Sequence, residues 1–294
     1  MTPTGSITAM GYIALRTTDL AASTKLAADV FGLKTVDNSS TKSYLAASNT
    51  HHELVYMSSD ANGVDHIGLV AASVDDLMAI QEKVRRGGWK IVAEQPIEDH
   101  IDQGFAFVGP AGFTWHIYTG MAILDQRDGG IGPDRYGHIN LKVKDSIAMT
   151  KFLIEVFDFR VSDRIGDDFA FFLRCNPEHH GIAVVKAPEE EPSMHHHAWQ
   201  AQSIVDLGHL ADRLNNAGSR LFWGPVRHGA GHNIAAYFVE PGAGLVELYT
   251  DMEMIYDKER DAIIWDFDDP GWLSQWDGLS PETMLSYGIP PVQR

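Results

Sequence analysis

The 294-residue sequence predicts an α+β fold of two domains, each made of two βαβββ modules whose strands form a cup-like sheet. Three observations predict it. The chain is written twice; each helical stretch follows one alternating strand and precedes about three more; and a Gly/Pro/Asp run separates the halves.

The opening strand and helix lie in GYIALRTTDLAASTKLAADVFGLKTV (11–36), which aligns without a gap with GHINLKVKDSIAMTKFLIEVFDFRVS (137–162). Each copy has a glycine, an alternating strand, an aspartate in the helix-capping position (Asp19, Asp145), an apolar-periodic helix and a VF pair leading into a new strand. The second module of each half follows. DHIGLVAASVDDLMAIQEKVRRGGWKIV (65–92) resembles HHAWQAQSIVDLGHLADRLNNAGSRLFW (196–223) after a one-residue shift, with the helices ending at Gly87 and Gly218. Finally GPAGFTWHIYTG (109–120) matches EPGAGLVELYTD (240–251). These landmarks set an N-terminal domain at 1–124, a linker at 125–134, a C-terminal domain at 135–252 and an acidic, tryptophan-rich tail at 253–294. The tail is expected to pack on a domain surface or on a partner.

Bulk composition narrows the function. A net charge of -17 argues against a nucleic-acid surface, which needs a basic stripe. The start lacks the charged and apolar regions of a signal peptide, and no run approaches the length of a membrane span, so a soluble, cytoplasmic protein is expected. With Cys175 alone, an intrachain disulfide and a thiolate metal cluster are excluded. Fourteen histidines remain to be explained.

Alternation sorts them. HINLKV puts Ile139, Leu141 and Val143 on one face, and His138, Asn140 and Lys142 on the other. His196 shares a face with Ala198 and Gln200, and Glu247 with Leu245 and Tyr249. A glutamate inside an apolar strand is costly unless its charge is compensated. His138, His196 and Glu247 recur at matching places in three strands, and two imidazoles with one carboxylate form the set that binds non-haem Fe(II) and leaves positions open. Mn(II) suits the same donors. The first half carries Tyr12, His66 and His116 at these places, so it reads as a structural duplicate with a filled cup, lacking an active metal site.

The most specific stretch is RHGAGHNIAAYFVEPGAGLVELYT (227–250), with nine residues from His228 to Tyr237 and ten from Tyr237 to Glu247. Together with HHGIAVV (179–185) and HHHAW (195–199), it resembles the type I extradiol ring-cleavage dioxygenases (catechol 2,3-dioxygenase-like) of the vicinal oxygen chelate superfamily. The resemblance covers nearly the whole chain. It departs at Ala236, where a larger apolar residue is usual, and at Ala243, where glycine is, and these departures put pocket shape in doubt.

The resemblance implies insertion of both atoms of O2 into a catecholic substrate with cleavage beside the two hydroxyls. It places His196, not His195 or His197, as the ligand. It puts His228 and Tyr237 on the catechol side and His180 as acid–base catalyst on the O2 side; strand alternation points His179 away, and Asn140, two residues after His138 and on its face, is within hydrogen-bonding reach of O2. It also implies a homo-oligomer. The alternatives are a non-redox metal-dependent lyase or isomerase of the same superfamily, glyoxalase-like, and a binding-only protein that sequesters a ligand. The acidic PEEEP run (188–192) discriminates nothing.

Overall fold

The computed structural model describes residues 5–125, 131–187, 191–242, 244–276 and 278–294. Most of the expected linker (126–130), part of the PEEEP run (188–190) and Ala243 lie outside the described residues.

Four βαβββ modules follow one another. The first has β1 (Ile7–Thr17), α1 (Leu20–Lys25, continued by a π-helical segment, Leu26–Phe31), β2 (Lys34–Asn38), β3 (Lys42–Ala46) and β4 (Leu54–Ser58). The second has β5 (Gly63–Ala71), α2 (Val74–Arg86), β6 (Lys90–Ala93), β7 (Ile101–Val108) and β8 (Thr114–Met121). In the other half come β9 (Arg135–Val143), α3 (Ser146–Phe157), β10 (Arg160–Ile165), β11 (Ala170–Arg174) and β12 (Ile182–Lys186). The last module is β13 (Ser193–Gln200), α4 (Ile204–Asn216), β14 (Trp223–Arg227), β15 (Ile234–Val239) and β16 (Leu245–Thr250). A short tail strand, β17 (Ile263–Trp265), is added beside β10.

Local chemistry explains the helix limits. Asp19 accepts from the Ala22 amide and Asp145 from the Ala148 amide, as the repeat predicts, while Ser203 and Asp206 form a reciprocal capping box on α4. Gly218 takes a left-handed φ of 74° after α4. After α2 it is Gly88 (φ 72°) rather than Gly87 that does so, because α2 runs one residue further before it turns.

The strands pair as β2-β3-β4-β1-β5-β8-β7-β6 and β14-β15-β16-β13-β9-β12-β11-β10-β17. The two module-opening strands of each half, β1 with β5 and β9 with β13, run antiparallel at the middle of each sheet. One face of each sheet joins a continuous core shared by both halves, where Phe31 from the first half meets Trp199 and Phe238 from the second. The opposite faces curve around two separate cups. The glycine that precedes Tyr12 and His138 leaves room for a tyrosine: a Cβ on Gly11 or Gly137 would collide with the hydroxyl of Tyr118 or Tyr249.

The tail crosses the mouth of the second cup and returns to the first half. Met194 and Ile289 exchange backbone hydrogen bonds of 2.8 and 2.9 Å, and Val64 then pairs with Pro290 and Val292 at 2.8 and 2.9 Å. Among the described residues no helix is long and apolar enough to cross a membrane.

Candidate metal centre

Strands β16, β13 and β9 are neighbours, and their register places Ala198 opposite Glu247 on one side and His138 on the other. Its methyl group is small enough for the three flanking side chains to converge over it. His138 Nε2 lies 3.3 Å and His196 Nε2 3.1 Å from Glu247 Oε2, and one donor atom from each residue falls within 4.8 Å of the others. With metal bonds of about 2.1 Å, neighbouring ligands of an octahedral ion stand about 3 Å apart. The trio therefore fits one face of such an ion. All three are buried. Burial would raise the Glu247 carboxyl pKa, but the adjacent His138 and His196 imidazoles outweigh it and hold it well below the usual carboxylate range.

The ring tautomers follow from what each histidine meets, since carbonyls and carboxylates only accept. His195 Nε2 donates to the Met284 carbonyl (2.8 Å), which leaves its Nδ1 as acceptor for the His196 Nδ1–H (2.7 Å). The Nε2 lone pair of His196 then faces the ligand cluster. His228 Nδ1 donates to the Leu273 carbonyl (2.5 Å), leaving Nε2 to face the Tyr237 hydroxyl at 2.9 Å. His179 and His180 share a hydrogen bond between their Nδ1 atoms at 3.0 Å, and His179 Nε2 stands 3.2 Å from Asp163 Oδ1 without hydrogen-bond geometry, which leaves His180 Nε2 for the cup. Asp163 is itself held by Arg260 (3.0 Å) and Trp265 (2.7 Å) of the tail.

Burial lowers the pKa of His180, His196 and His228, so their neutral forms are favoured. Burial, then the Glu247 charge, raises that of Tyr237, which stays a protonated donor. His180 packs on His138 with ring centroids 4.3 Å apart. The trio, Asn140, His180, His228 and Tyr237 all line one cavity of about 300 Å³.

Residues 9–117 and 135–248 match the Glyoxalase/Bleomycin resistance protein/Dioxygenase superfamily. The chain belongs to this superfamily. A manganese-dependent 2,3-dihydroxybiphenyl 1,2-dioxygenase of Geobacillus genomosp. 3 is 26% identical over 287 residues, covering 89% of this chain and 91% of its own. An iron-dependent extradiol dioxygenase of Rhodococcus jostii (strain RHA1) is 22% identical over 86% of this chain and 92% of its own. The Mn(II)-bound glyoxalase from Novosphingobium aromaticivorans superposes with a TM-score of 0.89 at 29% identity, covering 98% of this chain and 96% of that one.

Within this superfamily chain, the first cup has a different filling. The Tyr12 hydroxyl lies 2.8 Å from His66 Nε2 and 2.5 Å from His116 Nδ1. A phenol thus sits between the two imidazoles, and among the described residues the His138–His196–Glu247 group alone has the compact geometry of a metal site.

Several details differ from strand alternation. A bulge between Met194 and His196 turns His195 toward the cavity beside His196, while His197 faces away and accepts from Trp199 Nε1 at 2.7 Å. His179 and His180 precede β12 in irregular chain, so the Asp163 contact, not alternation, directs His179 away. Ala236 joins the helix-side core and does not line the cavity, so its small size does not shape the pocket. Sequence reasoning missed Asn233, which donates to Glu247 Oε1 at 3.2 Å. Its place between His228 and Tyr237 was the available signal.

Proposed function

We propose that the chain is an extradiol dioxygenase that holds Fe(II), with Mn(II) as the other ion its donors accept, and cleaves a catecholic ring beside its two hydroxyls. The observation that carries this reading is the convergence of the ligand trio, the His228–Tyr237 pair and His180 in one cavity. His138, His196 and Glu247 would hold the metal. When bound, it would supply a Lewis-acid and redox centre beside the catechol and O2.

The remaining steps are proton handling by this chain. The His228 Nε2 lone pair takes the proton of a substrate hydroxyl, directly or through the Tyr237 hydroxyl that it faces. Tyr237, kept protonated by burial, donates to the resulting phenolate oxygen. On the other side, His180 Nε2 accepts a proton and returns it to the oxygen side of the reacting pair, with Asn140 offering a hydrogen bond. A monoanionic catechol and Glu247 together balance a doubly charged ion, which limits the cost of burying the assembly.

The test is anaerobic loading with Fe(II), addition of catechols, then admission of air. Yellow ring-cleavage product and O2 uptake are expected, and neither would appear in a non-redox enzyme. The likeness to the Novosphingobium aromaticivorans glyoxalase favours a second reading, a metal-dependent lyase or isomerase. That reading requires turnover without O2 uptake or coloured product. The proposed setting is the cytoplasm, with the chain assembled as a homo-oligomer. Its exposed apolar residues on the outermost strand, Ile263 and Ile264, support such a contact, and light scattering at the column outlet would show a monomer if it is absent.

A further inference from the structure

One stretch of the tail, residues 284–294, fastens the same strand position in both halves. In the second half, the Met284 carbonyl accepts from His195 Nε2 at 2.8 Å, and His195 meets the ligand His196 at Nδ1. In the first half, Arg294 forms an ion pair with Asp65, and Asp65 Oδ1 accepts from His66 Nδ1 at 2.8 Å. His66 and His196 are equivalent in the repeat, so Asp65 and His195 are equivalent too. Two residues before each strand histidine the tail backbone is fastened as well, Met194 to Ile289 and Val64 to Pro290 and Val292.

Both halves make way for this stretch. A Cβ on Gly288 would meet Ser193 Oγ at 2.5 Å, one on Gly244 would meet Ile289 Cδ1 at 2.6 Å, and one on Gly63 would meet Val292 Cγ2 at 2.8 Å. Asp65 is buried, and burial would raise its carboxyl pKa, but His66, Arg294 and Arg16 outweigh it and hold it well below the usual carboxylate range. A guanidinium on a buried carboxylate makes a strong, directional anchor. An irregular segment keeps its place only through such anchors, and freeing one end returns conformational entropy to the rest.

Resting on the metal site proposed above, we infer that Arg294 and Asp65 are positioning residues for the ligand His196, acting through the tail. Their ion pair in the first half keeps the Met284 carbonyl on His195 in the second. His195 in turn holds the His196 ring with its Nε2 toward Glu247. The first half thereby supports a metal centre to which it gives no ligand.

The experiment is a charge series at position 294, read by two measurements. Fe(II) dissociation constants come from anaerobic competition with a chromophoric chelator, and amide hydrogen exchange is followed on the metal-free protein. Arg294→Ala should weaken Fe(II) binding by about 3–10-fold, a part of the roughly 10–100-fold that a ligand-orienting group carries. Arg294→Glu, set against Asp65, should weaken it further, and Arg294→Lys, which keeps the charge, should stay close to the unaltered protein. With His195→Ala already present, the changes at 294 should add nothing, because the Met284 carbonyl then has no imidazole to hold. Exchange at the Met194 and Ile289 amides should quicken in Arg294→Ala. Equal losses of affinity with and without His195 would reduce the ion pair to general stability and overturn the inference, as would unchanged affinity across the series. Unaltered protein that takes up no Fe(II) would overturn the metal reading instead, and the exchange rates, which need no metal, separate that outcome from failure of the anchor.

Discussion

At the residue scale, a carboxylate sits in a strand interior because two imidazoles share its site. Glu247 was legible as anomalous from LVELYT alone, and the repeat supplied His138 and His196 as its companions. The chain of donors behind His196 was not legible, because it needs the β13 bulge and a tail carbonyl 88 residues further on than His196. His196→Ala should abolish metal retention, whereas His197→Ala should leave it unchanged, as measured by metal content after reconstitution and desalting. For His195→Ala the sequence predicts that metal retention is not abolished. The structure instead predicts a loss of roughly 10–100-fold in metal affinity, the usual worth of a group orienting a ligand. His180→Asn should retain metal and catechol binding but slow turnover by roughly two to four orders of magnitude. Unchanged turnover would remove His180 from the proton chemistry.

At the scale of elements, the βαβββ order, the Asp19 and Asp145 caps and the outward and inward faces of β9, β13 and β16 could be read from periodicity. Periodicity is local, so it carried no information about where the irregular tail lies. The tail supplies the carbonyl that fixes His228, and its backbone also accepts from the amides of Gly229 and Ala230 at 3.0 and 3.1 Å through Trp272. Contact is close here: a Cβ on Gly229 would run into the Gly271 carbonyl. Backbone cannot yield as a flexible side chain does. Gly229→Ala should therefore displace the tail, costing about 1–3 kcal/mol in denaturant unfolding, the usual range for an overpacked position. It should lower kcat more than alteration of an equally buried glycine away from the cup. Unaltered stability and rate would show that the tail is not pressed against this loop.

At the scale of the molecule, one architecture used twice has diverged at two of three equivalent positions, with histidine kept at His66 and His196. Tyr12, His66 and His116 give a hydrogen-bonded polar centre in the first cup, while His138, His196 and Glu247 give the second cup a ligand set. Buried histidines also set a pH dependence. Burial, reinforced by His51 and His66, lowers the His52 pKa to about 3, so between that value and the unfolded value of about 6.5 the unfolded chain binds the extra proton. This contribution is complete above about pH 6.5 and declines as pH falls toward 3. The melting temperature of metal-free protein should decrease on acidification through this window, and His52→Gln should make that decrease shallower. The central claim is that a single divalent ion belongs in the second cup. Diffraction at the iron absorption edge from anaerobically reconstituted crystals tests it most directly. A single anomalous peak is expected about 2.1 Å from His138 Nε2, His196 Nε2 and a Glu247 oxygen. A peak beside Tyr12 in the first cup, or no peak among those three donors, would contradict it.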